Sequence, residues 1–403
     1  MRLPRRPPAR VVAVLAGILL IAANLRVAVT SLGAVLDQVR GDLGMSTVAA
    51  STAATLPVVC FGVVAAATPR LVRWVGAPAG LAIAVGALLV GLLVRVSGGE
   101  ATLLAGTLLA CAGIATANVL VPVVVKAEFP RRVGEVTGAY SAVLSLGAAL
   151  GAVATVPVGT VTGGWRGGLA AWSVLAAAAL IVWLPLVRRG AAPAETGVSV
   201  RAMMRSPVAW VVTLLFATQS LLAFTVMAWL PTVYHDVGFS FSEAGALLSL
   251  SVLAGVPVYF VVPVLASRMR TQGCLGAGLT ACQLLGLAGL LTRPASAPWL
   301  WALLIGVGGG VFPLTLALFS LRTRSAAGTA ALSALAQSGG YLVAAGGPFL
   351  VGVLRDVTGS WSAPILFLIA VCVVQVGLAF AAGRGRFTTP AEPGRPVRAS
   401  EPP

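Results

Sequence analysis

The chain has 403 residues, 58% of them hydrophobic and 9% charged, with 27 Lys and Arg against 11 Asp and Glu and a formal net charge of +16. A water-soluble domain carries about a quarter charged residues, so this composition excludes a soluble enzyme or binding module. The basic residues are scattered among short loops rather than gathered on one face, which argues against nucleic acid as a partner, and the ten-residue alternation of an outer-membrane barrel is absent.

The N-terminus, MRLPRRPPAR, runs straight into an apolar block with no small-residue cleavage site before Arg26, and reads as a retained first helix. Apolar blocks near the length that crosses about 30 Å of hydrocarbon predict helices at 11–34, 46–68, 77–97, 101–126, 136–160 and 169–187. A second set is predicted at 207–234, 243–266, 275–292, 299–321, 328–353 and 362–382. The fold class is therefore an all-α membrane protein of twelve transmembrane helices. Its expected organisation is a cytoplasmic N-terminus (1–10), a six-helix bundle (11–187), a central cytoplasmic loop (188–206), a second six-helix bundle (207–382) and a disordered tail (383–403). With the N-terminus inside, Arg and Lys outside the helices favour the inner segments by about four to one, and Arg40, Arg95, Arg166, Arg293 and Arg355 fall outside. This places both termini in the cytoplasm of a multi-pass protein of the inner or plasma membrane.

The halves repeat. Pro122, Gly138, Pro157 and the TGGW at Thr162–Trp165 are matched by Pro313, Gly328, Pro348 and the TGSW at Thr358–Trp361, at offsets of about 190 to 196 residues. A parallel repeat of six helices, related by an axis along the membrane normal, places a substrate site between the halves near mid-membrane. Gly306, Gly308, Gly309 and Gly310 lie inside an apolar helix and read as close helix packing, not phosphate binding. The five cysteines are dispersed and show no metal spacing. No catalytic constellation, metal site or cofactor motif is legible, so the chain is not read as an enzyme.

The polar residues inside the helices are the candidate substrate-binding groups. Every acid between the termini and outside the central loop sits at or near a helix end, whereas Arg26 lies about 15 residues into the first helix. A buried arginine costs several kcal/mol unless it meets water, a partner or a ligand, and its planar donor fork suits a small flat oxyanion or a nitro group. The alternative is that Arg26 snorkels to the outer surface, about 8 Å away. Thr30 is the next polar candidate on the first helix; Asn24, about 200° from Arg26, ranks below it. An offset near 193 pairs Arg26 with Gln219, which either faces the same site or satisfies a neighbouring carbonyl. Thr137, Ser141 and Ser145 form a stripe matched by Ser333, Gln337 and Tyr341, and the two are expected to line a shared cavity, with Tyr140 at its edge. Asn118, one turn before Pro122, either joins that cavity or bonds a freed carbonyl. Lys126 is read as snorkelling to the cytoplasmic end.

Asn24–Gly44, Ala117–Leu150, Gly164–Trp172, Gln219–Ser240 and Leu332–Pro348 resemble segments of the cyanate and 2-nitroimidazole transporter family of the major facilitator superfamily. The resemblance runs through both halves and implies secondary or facilitative transport of a small polar or anionic solute, with Arg26 in the family's first-helix motif. One departure is the loop Ala67–Gly76, ATPRLVRWVG, which lacks the acid the superfamily pattern carries before its basic pair. A small solute and the lipid bilayer are the implied partners, with the chain acting as a monomer. A proton-coupled efflux pump and a non-transporting membrane sensor are the alternatives, and the first of these needs a titratable membrane carboxylate that the sequence does not place there.

Overall fold

The computed structural model describes residues 8–187 and 200–388, and every regular element among them is helical. Eleven stretches are long and apolar enough to cross a membrane, and one of them crosses twice. The first helix, α1 (Pro8–Leu43), outruns its expected end by nine residues, because nothing in Ala34–Leu43 breaks a helix and the first left-handed residue is Gly44, φ 62°. The second and third predicted helices form one run, α2 (Thr47–Val94), interrupted only at Gly76 with φ 79° and ψ 163°. The expected loop thus shrinks to one residue. Only glycine adopts that conformation freely, and Ala77 and Pro78 are already back in the helix.

The first half continues with α3 (Glu100–Glu128), α4 (Val133–Thr162) and the broken pair α5 (Trp165–Ala170) and α6 (Trp172–Val187). A short helix, α7 (Val200–Met203), precedes the second half and buries Met203, so part of the expected central loop is docked. Arg188 and Arg189 lie outside the described residues. The second half holds α8 (Pro207–Asp236), α9 (Phe241–Arg268), α10 (Gly273–Thr292), the pair α11 (Pro298–Gly308) and α12 (Val311–Leu321), α13 (Ala326–Thr358) and α14 (Ser362–Gly383). Three of its starts follow capping rules: Ser206, Ser240 and Ser325 accept from the third residue of their helices, and Ser240 with Glu243 completes a reciprocal capping box. Arg384–Phe387 are exposed, but Thr388 is buried, its N–H donating to Arg322 O at 3.0 Å. The disordered tail is expected from residue 383, but Gly383 ends α14, and the rest of that tail beyond Thr388 lies outside the described residues.

The repeat seen in the sequence has a structural cause. Gly163 and Gly359 both terminate long helices in the left-handed conformation, at φ 85° and 64°. Each turn then delivers a tryptophan to an acid at the end of its half's first helix. Trp165 Nε1 donates to Asp42 at 3.0 Å and Trp361 Nε1 to Asp236 at 2.8 Å. Arg166 pairs with Asp42 at 2.8 Å and Arg355 with Asp236 at 3.2 Å. These matched clasps tie each bundle together on the face opposite the described ends of the chain.

The halves meet along two seams, α4 against α9 and α2 against α13. Glycine sets the approach. A Cβ on Gly138 would sit 2.3 Å from Phe260 O, and one on Gly62 would sit 2.7 Å from the Leu342 side chain. Gly306, Gly308 and Gly310 do what their spacing suggests, with Cβ positions 2.1 Å from Ser251 O, 2.3 Å from Gln283 Cβ and 2.5 Å from Val258 Cγ1. The helix also breaks there, between α11 and α12.

Candidate functional site

Arg26 stands at the middle of α1, more than about four turns from either end. The nearest helix end is therefore beyond the reach of its side chain. The guanidinium instead crosses to the second half and lies 5.7 Å from the Phe224 ring centroid and 5.4 Å from that of Phe312. Tyr341 extends the cluster, 6.2 Å from Phe224 and 5.2 Å from Phe216, and Tyr259 stacks 6.2 Å from Phe312. One cation of the first half is thus framed by aromatic faces from α8, α9, α12 and α13. Arg26 makes no ion pair and no side-chain hydrogen bond among the described residues, so its donor fork is free. Arg26 is half-buried, and each cation–π contact contributes about 0.5–2 kcal/mol.

Beside this cluster lies a cavity of about 340 Å³ between α1, α2, α3 and α8, with Phe224 in its wall. Thr30 lines it, and its hydroxyl donates to Arg26 O at 3.2 Å. The other polar lining groups are Arg95 and Thr107.

Asn24 is turned away from Arg26. It is fully buried and donates to Leu20 O at 2.8 Å and Leu175 O at 3.2 Å, pinning α1 to α6. Gln219 does the same service in the second half, where its carbonyl accepts from Gln375 Nε2 at 3.0 Å while Gln375 also donates to Thr280 at 3.1 Å. Gln219 therefore matches Asn24, not Arg26: the offset is 195 residues, in line with the 194 of Asp42 to Asp236 and the 196 of Trp165 to Trp361.

The polar stripes lie in the seams rather than on an open cavity wall. Thr137, Ser141 and Ser145 are buried, on the side of α4 whose Gly134 and Gly138 abut α9. The Ser141 and Tyr140 hydroxyls are buried without a partner among the described residues. Ser333, Gln337 and Tyr341 are buried on α13. Gln337 Nε2 donates to Ser333 Oγ at 2.8 Å and, across the seam, to Asn118 O at 3.0 Å. That carbonyl is the one Pro122 leaves without an intrahelical donor, four residues on. The Asn118 side chain remains half-exposed. Nearby, Lys126 does not snorkel: Nζ donates to Ser320 O at 2.9 Å, and Ser320 Oγ donates to Pro122 O at 3.4 Å, both across the halves.

Of the expected site residues, Arg26 and Tyr341 come together, Thr30 lies beside them, and Gln337 and Asn118 meet in the seam. Phe224, Phe312, Tyr259 and Arg95 escaped the sequence reading. The aromatics resemble any apolar residue of a membrane helix. Arg95, counted with the outer segments at the end of the predicted helix 77–97, is buried.

Two six-helix bundles, seamed together and enclosing an unpaired cation beside a cavity, define a carrier that passes small solutes between its halves. The family model of the Major Facilitator Superfamily matches residues 14–348. The chain belongs to that superfamily. It is 38% identical over 375 residues to an uncharacterized transporter, YycB, of Bacillus subtilis, covering 92% of this chain and 93% of that one. It is 33% identical over 379 residues to the 2-nitroimidazole transporter of Escherichia coli, covering 93% and 96%. It is also 33% identical over 361 residues to the cyanate transport protein CynX of Escherichia coli, covering 89% and 93%. The proton:xylose symporter XylE superposes with a TM-score of 0.74 at 13% identity, over 94% of this chain and 98% of that one, a likeness of fold.

Proposed function

We propose that this carrier moves a small flat solute bearing an anionic or nitro group, cyanate-like or nitroimidazole-like, which binds at Arg26 between the halves. The observation that carries the reading is the Arg26 guanidinium, unpaired and framed by Phe224 and Phe312. A planar solute stacks on the rings while its oxygens take the donor fork. The names of the Escherichia coli relatives point to the same class. Tyr341 is placed to touch the solute, and Thr30 steadies the backbone behind Arg26.

Transport follows by rocking of the two bundles about this site. Both termini lie in the cytoplasm in this reading, since the basic segments cluster on their face. The chain carries both halves and works as a monomer. Among the described residues no acid enters the site, which disfavours a proton-driven drug pump.

The test is binding of cyanate, nitrate and 2-nitroimidazole to purified protein, followed by uptake into proteoliposomes with and without a pH gradient. Arg26→Ala is expected to abolish binding of whichever solute the wild type takes, and uptake is expected to proceed without the gradient. Unchanged affinity in Arg26→Ala would remove the site.

A further inference from the structure

We infer that the cavity beside Arg26 holds a second anion-binding subsite, formed by Arg95 and Thr107, for a small monovalent anion. The inference stands on different residues from the site at Arg26 and does not depend on it.

Arg95 follows the last residue of α2 and is 1% exposed. Its Nη1 donates to Ala28 O at 2.8 Å, and its Nη2 to Leu169 O and Ser31 Oγ, both at 3.4 Å. These acceptors are neutral. They explain part of its placement, because the break after α5 leaves the Leu169 carbonyl short of a helical donor. They do not neutralise the charge, and Nε–H has no acceptor among the described residues. A guanidinium has five N–H donors, so three bonds leave donors to spare.

Thr107, 3% exposed, lines the same cavity, and its hydroxyl likewise has no partner among the described residues. The backbones that carry the two side chains are in close contact: a Cβ on Gly106 would lie 2.3 Å from Arg95 N, so α3 lies directly against the end of α2 here. No carboxylate lines the cavity, and its remaining wall is largely apolar. In such surroundings the field of one unpaired cation is strong. Two spare donor groups and one net positive charge suit an anion of single charge that accepts from a guanidinium and a hydroxyl. About 340 Å³ is room for it with some of its water.

The arrangement also relates the two cations. Arg95 bonds the α1 backbone at Ala28, two residues past Arg26, and Phe224 belongs to both the Arg26 cluster and the cavity wall. An anion at Arg95 therefore waits next to the central site.

The experiment is equilibrium binding of radiolabelled thiocyanate to the purified full-length protein, in wild type, Arg26→Ala, Thr107→Val, Arg95→Lys and the doubles with Arg26→Ala. Thr107→Val keeps the side-chain shape, so it reports on the subsite even if Arg95→Lys fails to fold. The expected result is one site remaining in Arg26→Ala, weakened about tenfold by adding Thr107→Val, the effect of one lost hydrogen bond to a charged group. Loss of all thiocyanate binding in Arg26→Ala would overturn the subsite while supporting the central one. A remaining site indifferent to both Thr107→Val and Arg95→Lys would overturn its location. If the central site is the one that is wrong, Arg26→Ala binds as wild type and the Thr107 effect persists.

Discussion

Replacing Gln337 with leucine is expected to loosen the seam near the termini without unfolding the protein. In this conformation Gln337 donates to Asn118 O, a carbonyl stripped of its helical partner by Pro122. Leucine keeps most of the volume and removes the donor. A hydrogen bond between membrane helices is worth about 0.6 kcal/mol on average and up to about 1.7. A buried acceptor left unsatisfied costs about 1–3 kcal/mol. The carbonyl regains water when the halves part, so the penalty falls on the closed seam and not on the open one. A difference of about 1–2 kcal/mol multiplies the open population by roughly 5 to 30. Hydrogen–deuterium exchange read by mass spectrometry measures it. Exchange should quicken by that factor at 115–128 and 314–323, which carry the cross-seam bonds, and stay unchanged at 225–236. Ser333→Ala is the control, since it removes only the bond within α13. Uniform acceleration along the chain, or an equal effect of Ser333→Ala, would refute the argument.

Gly138→Ala should act in the same direction and more strongly. Its Cβ meets a backbone oxygen that no rotamer can move, and overpacking costs about 1–3 kcal/mol; exchange at 133–140 and 258–268 reports it. Gln219→Leu should do the opposite of a site mutation: melting falls by the equivalent of about 1 kcal/mol, because Gln375 loses an acceptor, while solute affinity per folded molecule stays at the wild-type value.

The helices were legible because lipid imposes a length and an apolar composition on each span. Their limits were less so. The run from Thr47 to Val94 reads as two helices and a basic loop, since nothing in PRLVRWVG announces that a single glycine at residue 76 makes the whole turn. Arg26 stood out because a lone cation among apolar residues is costly wherever it points. What it points at was hidden. Phe224 and Phe312 belong to the other half, and an aromatic residue in a membrane helix carries no mark of whether it faces lipid or a guanidinium. The pairing of Gln219 with Arg26 differs from the structure for a subtler reason. Two residues of repeat offset rotate a helix by about 200°, enough to exchange a site-facing position for one that pins a neighbouring helix. Arg95 counts with the outer basic residues because it falls at the outer end of the predicted helix 77–97, although a residue at a helix end is as easily buried as exposed when another helix covers it.

The halves repeat in scaffold and differ at the centre. The clasps at Asp42 and Asp236 and the pins at Asn24 and Gln219 have counterparts in both bundles. The Arg26 cluster has none: the cation comes from the first half and its framing rings from the second. The repeated features hold each bundle rigid. The unrepeated one exists only where the bundles meet, so it is made and strained by any motion of one against the other. A solute that bridges Arg26 and the rings therefore contacts both bundles at once, and its binding energy is available to bias their relative motion. That energy is largest in the conformation where cation and rings lie closest. This makes the division of the site between the halves the feature that couples solute binding to movement.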